Sequence, residues 1–457
     1  MDLQIKKRVI KGLGVNVYSQ VVTTIVQLVG VPVLLYAWGA ELYGEWLILF
    51  AIPAYLSMSD LGFSQSAAND MTAKVAHGNK DGALVVFQSL FVLILVTATV
   101  GLAIVSGVLF FAPATEWTSF TAMSTTKARW VLWFLAAEIF VRLPDGINHA
   151  GYRACGDYAF HFGLHATSRL AQFAGAWLVA LGGGGPVGAA LTFFIIRGVA
   201  TVLFGCILVH RHTWLKFGFF QASTLQLRNL FKPALANIAV PLAQALNIQG
   251  MILVVGAFLG PLAVVIFSTL RTLSRLALQL GYVISNATEP ELAAAYGVEN
   301  MALTQTLFVH SLRTSFWLAL PFAAVLGIFG NTIITIWTHG VVEMNSVLFT
   351  WLLISAVFGG LWYGALNVLK AANRHLRAAS FFVLSSVVTV AAASVLLSST
   401  GYLANAGLVL LLMDVTMIVY TIPAACRHIA MQPAECFKQA VDPRPLVKLA
   451  LARIRIR

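Results

Sequence analysis

The feature that most constrains the fold is a succession of apolar segments that continues from one end of the chain to the other. A helix needs about 20 mainly apolar residues to cross the hydrocarbon core of a bilayer. Segments of this length, separated by glycine, proline or charge, run over residues 13–37, 43–69, 83–112, 128–152, 158–181, 186–210, 233–259, 261–288, 303–330, 345–370, 378–398 and 402–426. The sequence therefore predicts an all-α, polytopic membrane protein with about 12 transmembrane helices.

The scarcity of charge supports this interpretation. Charged residues make up 10% of the chain and hydrophobic residues 59%, whereas soluble globular domains contain roughly 25% charged residues. A chain of this composition cannot cover a large water-exposed surface. We therefore expect no sizeable soluble domain.

The distribution of lysine and arginine predicts the orientation, because short loops rich in positive charge stay in the cytoplasm. With the N-terminus inside, the predicted external segments carry only Lys127 and Arg129. Both termini are then cytoplasmic, including a basic tail at residues 432–457 that we expect on the membrane surface. The formal charge of +12 makes anionic membrane lipids the expected partner, and nucleic acid is not needed to explain it.

The chain also matches itself when shifted by 221 residues. The shift pairs Asn16 with Asn237, Gly39 with Gly260, Ser64 with Ser285, Ala73 with Ala294 and Asn79 with Asn300. We predict two pseudo-symmetric six-helix lobes, 1–215 and 216–431, related by an axis along the membrane normal and enclosing a central cavity. This architecture is typical of transporters.

Several charged residues fall near the middle of the predicted helices. A charge at the centre of a membrane helix costs roughly 2.5 to 3.5 kcal/mol on insertion scales, so such residues face the protein interior. Guanidinium groups bind phosphate oxygens through paired hydrogen bonds. We predict that the substrate is anionic and is bound by Arg142, Arg169, Arg197, Arg271 and Arg275.

The carboxylates of the same regions have a different predicted role. Asp60, Glu138 and Asp414 are candidates for coupling transport to H⁺ or Na⁺. Two interpretations stay open for Glu138, Arg142 and Asp145, because their spacing allows either an ion-pair network along one helix or a role in substrate binding. We expect no catalytic residue, cofactor or metal site, since the histidines His149, His161, His165 and His310 lack metal-ligand spacing.

Three motifs near the N-terminus resemble a known family. They are GLGVNVYSQ at 12–20, VPVLLYAWGAELYGEW at 31–46 and YLSMSDLGFSQSAAND at 55–70. They are similar to the start of bacterial polysaccharide-export flippases of the multidrug/oligosaccharidyl-lipid/polysaccharide exporter superfamily. The segment from Arg271 through Glu289, Pro290 and Glu291 resembles the corresponding part of that family's second lobe.

The resemblance implies a two-lobed protein of twelve or fourteen helices in the bacterial inner membrane. It also implies transfer of an undecaprenyl-pyrophosphate-linked repeat unit to the periplasmic leaflet, for O-antigen or exopolysaccharide synthesis. A polysaccharide polymerase and export machinery are then expected partners.

Two alternatives belong to the same superfamily. One is an ion-coupled exporter of drugs or organic cations, and the other is a lipid II flippase, a branch that usually carries two additional C-terminal helices. An enzyme is not expected, because a membrane polymerase or ligase would need a longer external loop than this sequence provides.

Overall fold

The computed structural model describes residues 3–60, 62–111 and 120–445, and it describes the side chains from residue 14 onward except those of residues 236 and 287. Within these ranges every regular element is helical, which confirms the all-α prediction. The chain forms two compact units, Met1–Ala245 and Leu246–Arg457. The end of the predicted tail, from residue 446, lies outside the described residues.

Among its described residues, the first unit contains eight α-helices and one 3₁₀ turn. They are α1 (Leu3–Ala51), the 3₁₀ turn Pro53–Met58, α2 (Phe63–Ala76), α3 (Lys80–Phe111), α4 (Thr125–Arg142), α5 (Asp145–Ala154), α6 (Tyr158–Leu181), α7 (Pro186–Arg211) and α8 (Thr224–Ala245).

The second unit begins with a π turn, Leu246–Gly250, and continues with six α-helices up to residue 445, where the described part of the chain ends. They are α9 (Met251–Gly297), α10 (Met301–Trp337), α11 (Ser346–Ala371), α12 (His375–Thr400), α13 (Ala404–His428) and α14 (Pro433–Val441). The short α14 packs on α10, where Arg313 donates hydrogen bonds to the carbonyl of Gln439 and Trp317 donates to that of Val441 at 3.0 Å. This part of the predicted surface tail is therefore docked on the second unit.

Eight of the described helical segments are long and apolar enough to cross a bilayer. Two of them, Gly14–Met58 and Asn237–Gly297, are of double length and each contains one non-helical glycine. Splitting these two at Gly39 and Gly260 raises the number within the described chain to ten. The remaining predicted spans correspond to α4 with α5 and to α6, which contain more polar residues.

The chain reverses direction at Gly39. Before this glycine, α1 runs beside α6, since Tyr18 hydrogen-bonds Thr167 at 3.0 Å. Trp38 then donates to the carbonyl of Gly184, beyond the end of α6, at 3.0 Å. Phe50 lies back beside Phe173, with ring centroids 6.5 Å apart. Gly39 has φ 74° and ψ 173°, a conformation that only glycine adopts readily.

Gly260 makes the equivalent turn in the second unit. Its φ of 82° and ψ of 178° are close to those of Gly39, and Arg271, after the turn, donates a hydrogen bond to Asn247, before it. Pro261 follows directly, and proline is favoured at the first position of a helix. The predicted break between two spans at this point is confirmed, and a single glycine makes it.

The repeat of 221 residues is visible in the helix boundaries. Helices α3 and α10 begin at Lys80 and Met301, and α4 and α11 begin at Thr125 and Ser346, so both pairs are separated by 221 positions. The preceding residues cap these helices in the same way. Asn79 accepts from the N–H of Gly82 at 2.7 Å, and Asn300 accepts from that of Leu303 at 3.1 Å. Ser124 and Asn345 likewise accept from the residue three positions on.

Two predicted spans of the first unit are interrupted. The span 43–69 contains the end of α1, the 3₁₀ turn and the start of α2, while the span 128–152 is divided into α4 and α5 at Leu143 and Pro144. Pro144 interrupts the second of these spans, because proline has no backbone N–H and its ring clashes with the carbonyl four residues earlier. Both interruptions lie beside the polar groups described next.

Candidate functional site

Buried and half-buried polar side chains form a cluster in each unit. The first polar site consists of Glu138, Arg142, Asp145, His161 and Arg197, carried by helices α4 to α7. The second polar site consists of Asn247, Arg271, Arg275, Trp362 and Asp414, carried by the π turn and helices α9, α11 and α13.

The break at Pro144 determines the geometry of the first polar site. Arg142 is the last residue of α4 and Asp145 is the first of α5. The break therefore separates Arg142 from Asp145, while Glu138 and Arg142 lie one turn apart on α4, and neither pair forms an ion pair within the described chain. Glu138 and Asp145 find their partners on α6 and α7 instead.

Asp145 is paired with histidines of α6. His161 Nε2 lies 2.9 Å from Asp145 Oδ1, and since an ionised carboxylate only accepts hydrogen bonds, the imidazole donates. His165, one helical turn further along α6, places its Nε2 3.9 Å from Asp145 Oδ2. Asp145 and His161 are almost fully buried, whereas His165 is partly exposed. His161 thus satisfies the carboxylate, and His165 remains accessible.

Arg197 of α7 is committed to protein partners. Its Nε lies 3.3 Å from Glu138 Oε1, its Nη2 donates to Gln172 Oε1 at 3.0 Å, and its Nη1 lies 4.0 Å from Asp145 Oδ2. Only 3% of Arg197 is exposed. A buried guanidinium with this set of partners holds α4, α6 and α7 together.

A cavity of about 300 Å³ opens beside these pairs. Its polar lining residues are Ser57, Asp60, Ser64, Arg142, Asp145, His149, His161 and His165. Within the described residues, Arg142 makes no ion pair. The cavity therefore combines an uncommitted guanidinium with imidazole groups, which is a suitable lining for phosphate oxygens.

Asp60 lies at the edge of this cavity and caps α2. Its two carboxylate oxygens accept hydrogen bonds from the N–H of Gly62 at 3.1 Å and from that of Ser64 at 3.3 Å. Gly146 allows α5 to approach α2, because a Cβ at this position would lie 2.2 Å from Ser64 Oγ. The carboxylate predicted as a coupling residue thus has a structural role at a helix N-terminus.

Arg169 lies on the side of α6 that faces α1. Its Nη1 donates to Thr23 Oγ1 at 3.2 Å, and it is close enough to Arg142 and Arg197 to interact electrostatically with both. The structure therefore brings the three arginines predicted in the first unit into one region, but with different partners.

The second polar site is built around Arg271 of α9. Its Nη1 donates to the carbonyl of Asn247 at 3.0 Å and its Nη2 to Asn247 Oδ1 at 2.5 Å. Asn247 belongs to the π turn, a helix distortion that frequently occurs at functional sites. Arg275 follows one turn later on the same helix, and within the described residues it makes no ion pair.

Asp414 is held by neutral donors. Ser355 Oγ lies 2.5 Å from Asp414 Oδ2, and Trp362 Nε1 donates to Asp414 Oδ1 at 2.8 Å. The carboxylate is buried and interacts electrostatically with Arg271, but no cation of the described chain lies within ion-pair distance. A carboxylate in such surroundings can gain or lose a proton without breaking an ion pair.

The sequence interpretation did not identify Asn247 and Trp362 of the second polar site, nor the histidines of the first. It excluded the histidines as metal ligands, yet His149, His161 and His165 line the cavity beside Arg142. A signal was present in the sequence, because His161, His165 and Arg169 follow one another at intervals of four and so share one face of α6. The fourth histidine, His310, is on α10 and lies outside both polar sites.

Comparisons with known proteins identify the fold. No protein-family model matches the chain, and no curated protein matches it by sequence. Among solved structures, an inward-facing multidrug resistance MATE family transporter of the MOP superfamily matches with a TM-score of 0.75 and 14% identity, covering 89% of this chain and 94% of that one. The lipid II flippase MurJ, in an inward closed conformation, matches with a TM-score of 0.69 and 13% identity, covering 96% and 93%.

A MATE protein in a bent conformation also matches, with a TM-score of 0.63 and 16% identity over 96% of this chain and 97% of the other. The chain therefore has the fold of these multi-pass membrane transporters. The first polar site, with its cavity, and the second polar site are the features within that fold on which a function can be argued.

Proposed function

We propose that this chain is a flippase for a lipid-linked oligosaccharide. It moves an undecaprenyl-pyrophosphate-linked repeat unit from the cytoplasmic to the periplasmic leaflet of the bacterial inner membrane, for O-antigen or exopolysaccharide synthesis. Transport is by alternating access, arginines bind the phosphates of the cargo, and both termini are cytoplasmic. Expected partners are the polymerase and the export machinery that receive the repeat units.

The pairing of charges in the first polar site carries this proposal. Glu138 is engaged by Arg197, Asp145 by His161 and Asp60 by backbone N–H groups. Arg142 has no such partner among the described residues and lines the cavity. Arg142 is therefore a guanidinium group at the cavity without an ion-pair partner among the described residues, and a pyrophosphate group would supply one.

The second polar site supports the same cargo. Asn247 orients the Arg271 guanidinium, while Arg275 is uncommitted and lies one turn away. An exposed or loosely held arginine loses side-chain entropy on binding, whereas an arginine held in place loses less. Arg271 thus offers a fixed group and Arg275 an adaptable one for phosphates or acidic sugars.

The alternative of an organic-cation exporter requires carboxylates that are free to bind a cation. Of the three predicted coupling carboxylates, Glu138 is ion-paired with Arg197, Asp60 accepts hydrogen bonds from two backbone N–H groups, and Asp414 is held by the neutral donors Ser355 and Trp362. One buried carboxylate beside two arginines is an unfavourable site for a cation. For this reason we assign Asp414 to ion coupling and not to cargo binding.

The lipid II flippase alternative cannot be separated by charge, since lipid II also carries a pyrophosphate. One of the similar structures is a lipid II flippase. The two functions differ in the product that depends on them, which is surface polysaccharide in one case and peptidoglycan in the other. The test below therefore measures both.

The test replaces the uncommitted arginines. We expect Arg142→Ala and Arg275→Ala to lower surface polysaccharide by about 10- to 100-fold each, because a hydrogen bond to a charged group contributes about 1.5 to 3 kcal/mol. The matched control is Arg228→Ala, since Arg228 is exposed and lies outside both polar sites. Protein levels in the membrane should stay unchanged in all three variants.

The outcomes distinguish the candidates. Normal polysaccharide in both variants would refute the arginine sites, and a loss of peptidoglycan synthesis would indicate lipid II as the cargo. Loss of resistance to organic cations with normal polysaccharide would indicate the exporter. An Asp414→Asn variant in the same assay should make transport insensitive to the proton or sodium gradient if Asp414 couples transport to the ion.

A further inference from the structure

A basic pocket lies between α12 and α13 at one end of the second unit, and none of its lining residues belongs to the second polar site. Its volume is about 530 Å³. Arg374 and Arg377 come from the start of α12, and Arg427 and His428 from the end of α13. By the distribution of positive charge, this is the cytoplasmic end of both helices.

The charge of this pocket is not neutralised by the protein. No carboxylate lines it, and within the described part of the chain none of its three arginines forms an ion pair. The neighbouring Lys370 is different, because it lies 3.6 Å from Glu289. Three uncompensated guanidinium groups around one cavity repel one another unless an anion binds there.

An apolar groove continues from this pocket along the same two helices. Phe381 and Tyr420 form the common wall, with their rings stacked at a centroid distance of 4.2 Å. Beyond them a second cavity of about 300 Å³ is lined by Leu384 and Val388 of α12 and by Leu412 of α13. All three side chains are more than half exposed, so this groove opens toward the lipid.

The dimensions fit one leaflet of the bilayer. Arg377 and Val388 are eleven positions apart, which corresponds to about 16 Å along a helix. The hydrocarbon core of a bilayer is about 30 Å thick, so a single leaflet occupies about half of that. A phosphate at the arginines would place an acyl chain along the apolar groove.

We propose that the α12–α13 groove is a binding site for an anionic phospholipid of the cytoplasmic leaflet. Arg374, Arg377 and Arg427 bind the phosphate, and one acyl chain lies against Leu384, Val388 and Leu412. A cavity of 530 Å³ is within the range that encloses a drug-sized ligand. A glycerophosphate headgroup fits this size, whereas a pyrophosphate with an attached oligosaccharide is larger.

The experiment measures the lipid retained by the purified full-length protein. The protein is reconstituted in nanodiscs of phosphatidylglycerol and phosphatidylcholine, extracted in mild detergent and analysed by native mass spectrometry. The wild type should retain one phosphatidylglycerol in preference to phosphatidylcholine. An Arg377→Gln/Arg427→Gln variant should retain at least about tenfold less, because two charge-assisted hydrogen bonds are lost.

The matched control removes the same charge elsewhere. Lys216 and Arg228 are exposed basic residues of the first unit, and a Lys216→Gln/Arg228→Gln variant should retain phosphatidylglycerol like the wild type. A Val388→Trp variant leaves every charge in place but fills the apolar groove, and it should also lose the lipid. Thermal unfolding of each variant identifies any that fails to fold. If the Arg377→Gln/Arg427→Gln variant does not fold, the single variants Arg377→Gln and Arg427→Gln replace it, and each should retain less phosphatidylglycerol than the wild type.

Three results would overturn the proposal. If the Lys216→Gln/Arg228→Gln variant lost as much phosphatidylglycerol as the Arg377→Gln/Arg427→Gln variant, the lipid would be attracted by the general surface charge. Unchanged retention in both groove variants would mean that the lipid binds elsewhere. Recovery of a polyprenyl pyrophosphate from cell-derived protein, in place of a phospholipid, would show that the groove holds the transport cargo.

Discussion

Arg142 and Arg197 carry the same side chain and belong to the same polar site, yet their surroundings differ. Arg197 is buried against Glu138 and Gln172, whereas Arg142 lines a cavity. Arg197 therefore contributes to folding, and Arg142 is available for a ligand. A charge count alone would treat the two residues as equivalent.

We predict opposite phenotypes for the two arginines. Arg197→Ala leaves Glu138 buried without its cation, which should lower the free energy of unfolding by about 3 to 5 kcal/mol. Arg142→Ala removes no ion pair formed by the described residues, so stability should change by less than about 0.5 kcal/mol. Thermal unfolding of the two purified variants in one detergent provides the measurement.

The double replacement Glu138→Gln/Arg197→Met serves as the control for this prediction. It removes both charges, so it should be more stable than Arg197→Ala. A single Arg197→Ala variant as stable as the wild type would contradict the assignment of Arg197 to a structural pair.

The sequence could identify the charged residues of the first polar site but not their pairing. A charge near the middle of an apolar segment is visible directly, which is why Arg142 and Arg197 were both recognised. The partner of Arg197 is 59 residues away, and only the packing of α4 against α7 reveals it. The histidines were missed for the same reason, since their role depends on Asp145 of another helix.

At the scale of elements, glycine and proline have different effects on the long helices. Pro32, Pro290 and Pro321 lie within helices that continue past them, as is common in membranes, where neighbouring groups satisfy the freed carbonyls. Pro144 divides α4 from α5. Proline in the sequence therefore did not indicate which helices end, whereas Gly260 followed by Pro261 indicated a turn correctly.

We predict that Gly39→Ala and Gly260→Ala each destabilise the protein by about 1 to 3 kcal/mol, because a residue with a Cβ is strained in this region of backbone conformation. Neither position is crowded, since an added Cβ would have no atom within 4 Å. The effect would therefore report backbone strain alone. Thermal unfolding monitored by tryptophan fluorescence measures it.

Gly107 offers a matched control in the interior of α3. A Cβ there would also meet nothing within 4 Å, but its backbone is helical. Gly107→Ala should leave stability unchanged or raise it by about 0.5 to 1 kcal/mol. If all three variants behaved alike, the turns at Gly39 and Gly260 would not depend on glycine.

At the scale of the whole molecule, the two halves share helix boundaries but not chemistry. The shift of 221 residues relates the two glycine turns and the capping residues, yet it relates Arg142 to Tyr363, Asp60 to Gly281 and Arg271 to Phe50. The repeat therefore explains the arrangement of the helices in each unit. The polar sites have to be argued separately for each half, because the shift relates helix starts and capping residues but not the charged residues.

The predicted topology can be tested by labelling single cysteines in intact cells. In a background without the four native cysteines, Glu343→Cys should react with an impermeant maleimide from outside, and Lys80→Cys should react only after the membrane is opened. Both side chains are exposed; Glu343 lies between two spans, and Lys80 is the first residue of the span Lys80–Phe111. The reverse pattern would invert the orientation.

The native thiols give a control within this experiment. Burial and the nearby Asp157 carboxylate raise the pKa of Cys155 to about 11. Since the thiolate is the reactive form, Cys155 should label slowly at pH 7 even in opened membranes, and faster as the pH rises toward 11. A variant with Cys155 as its only cysteine tests this.

The glycine turns also affect how the chain enters the membrane during synthesis. Each double-length segment turns at one glycine, and the residues around the second turn, Phe258 to Leu262, carry no charge. Two helices joined in this way can enter the bilayer together as a hairpin, because the short turn between them brings few polar groups that would have to cross the hydrocarbon core. The two spans can therefore insert into the membrane in a single step during synthesis, and the glycine determines where the hairpin turns.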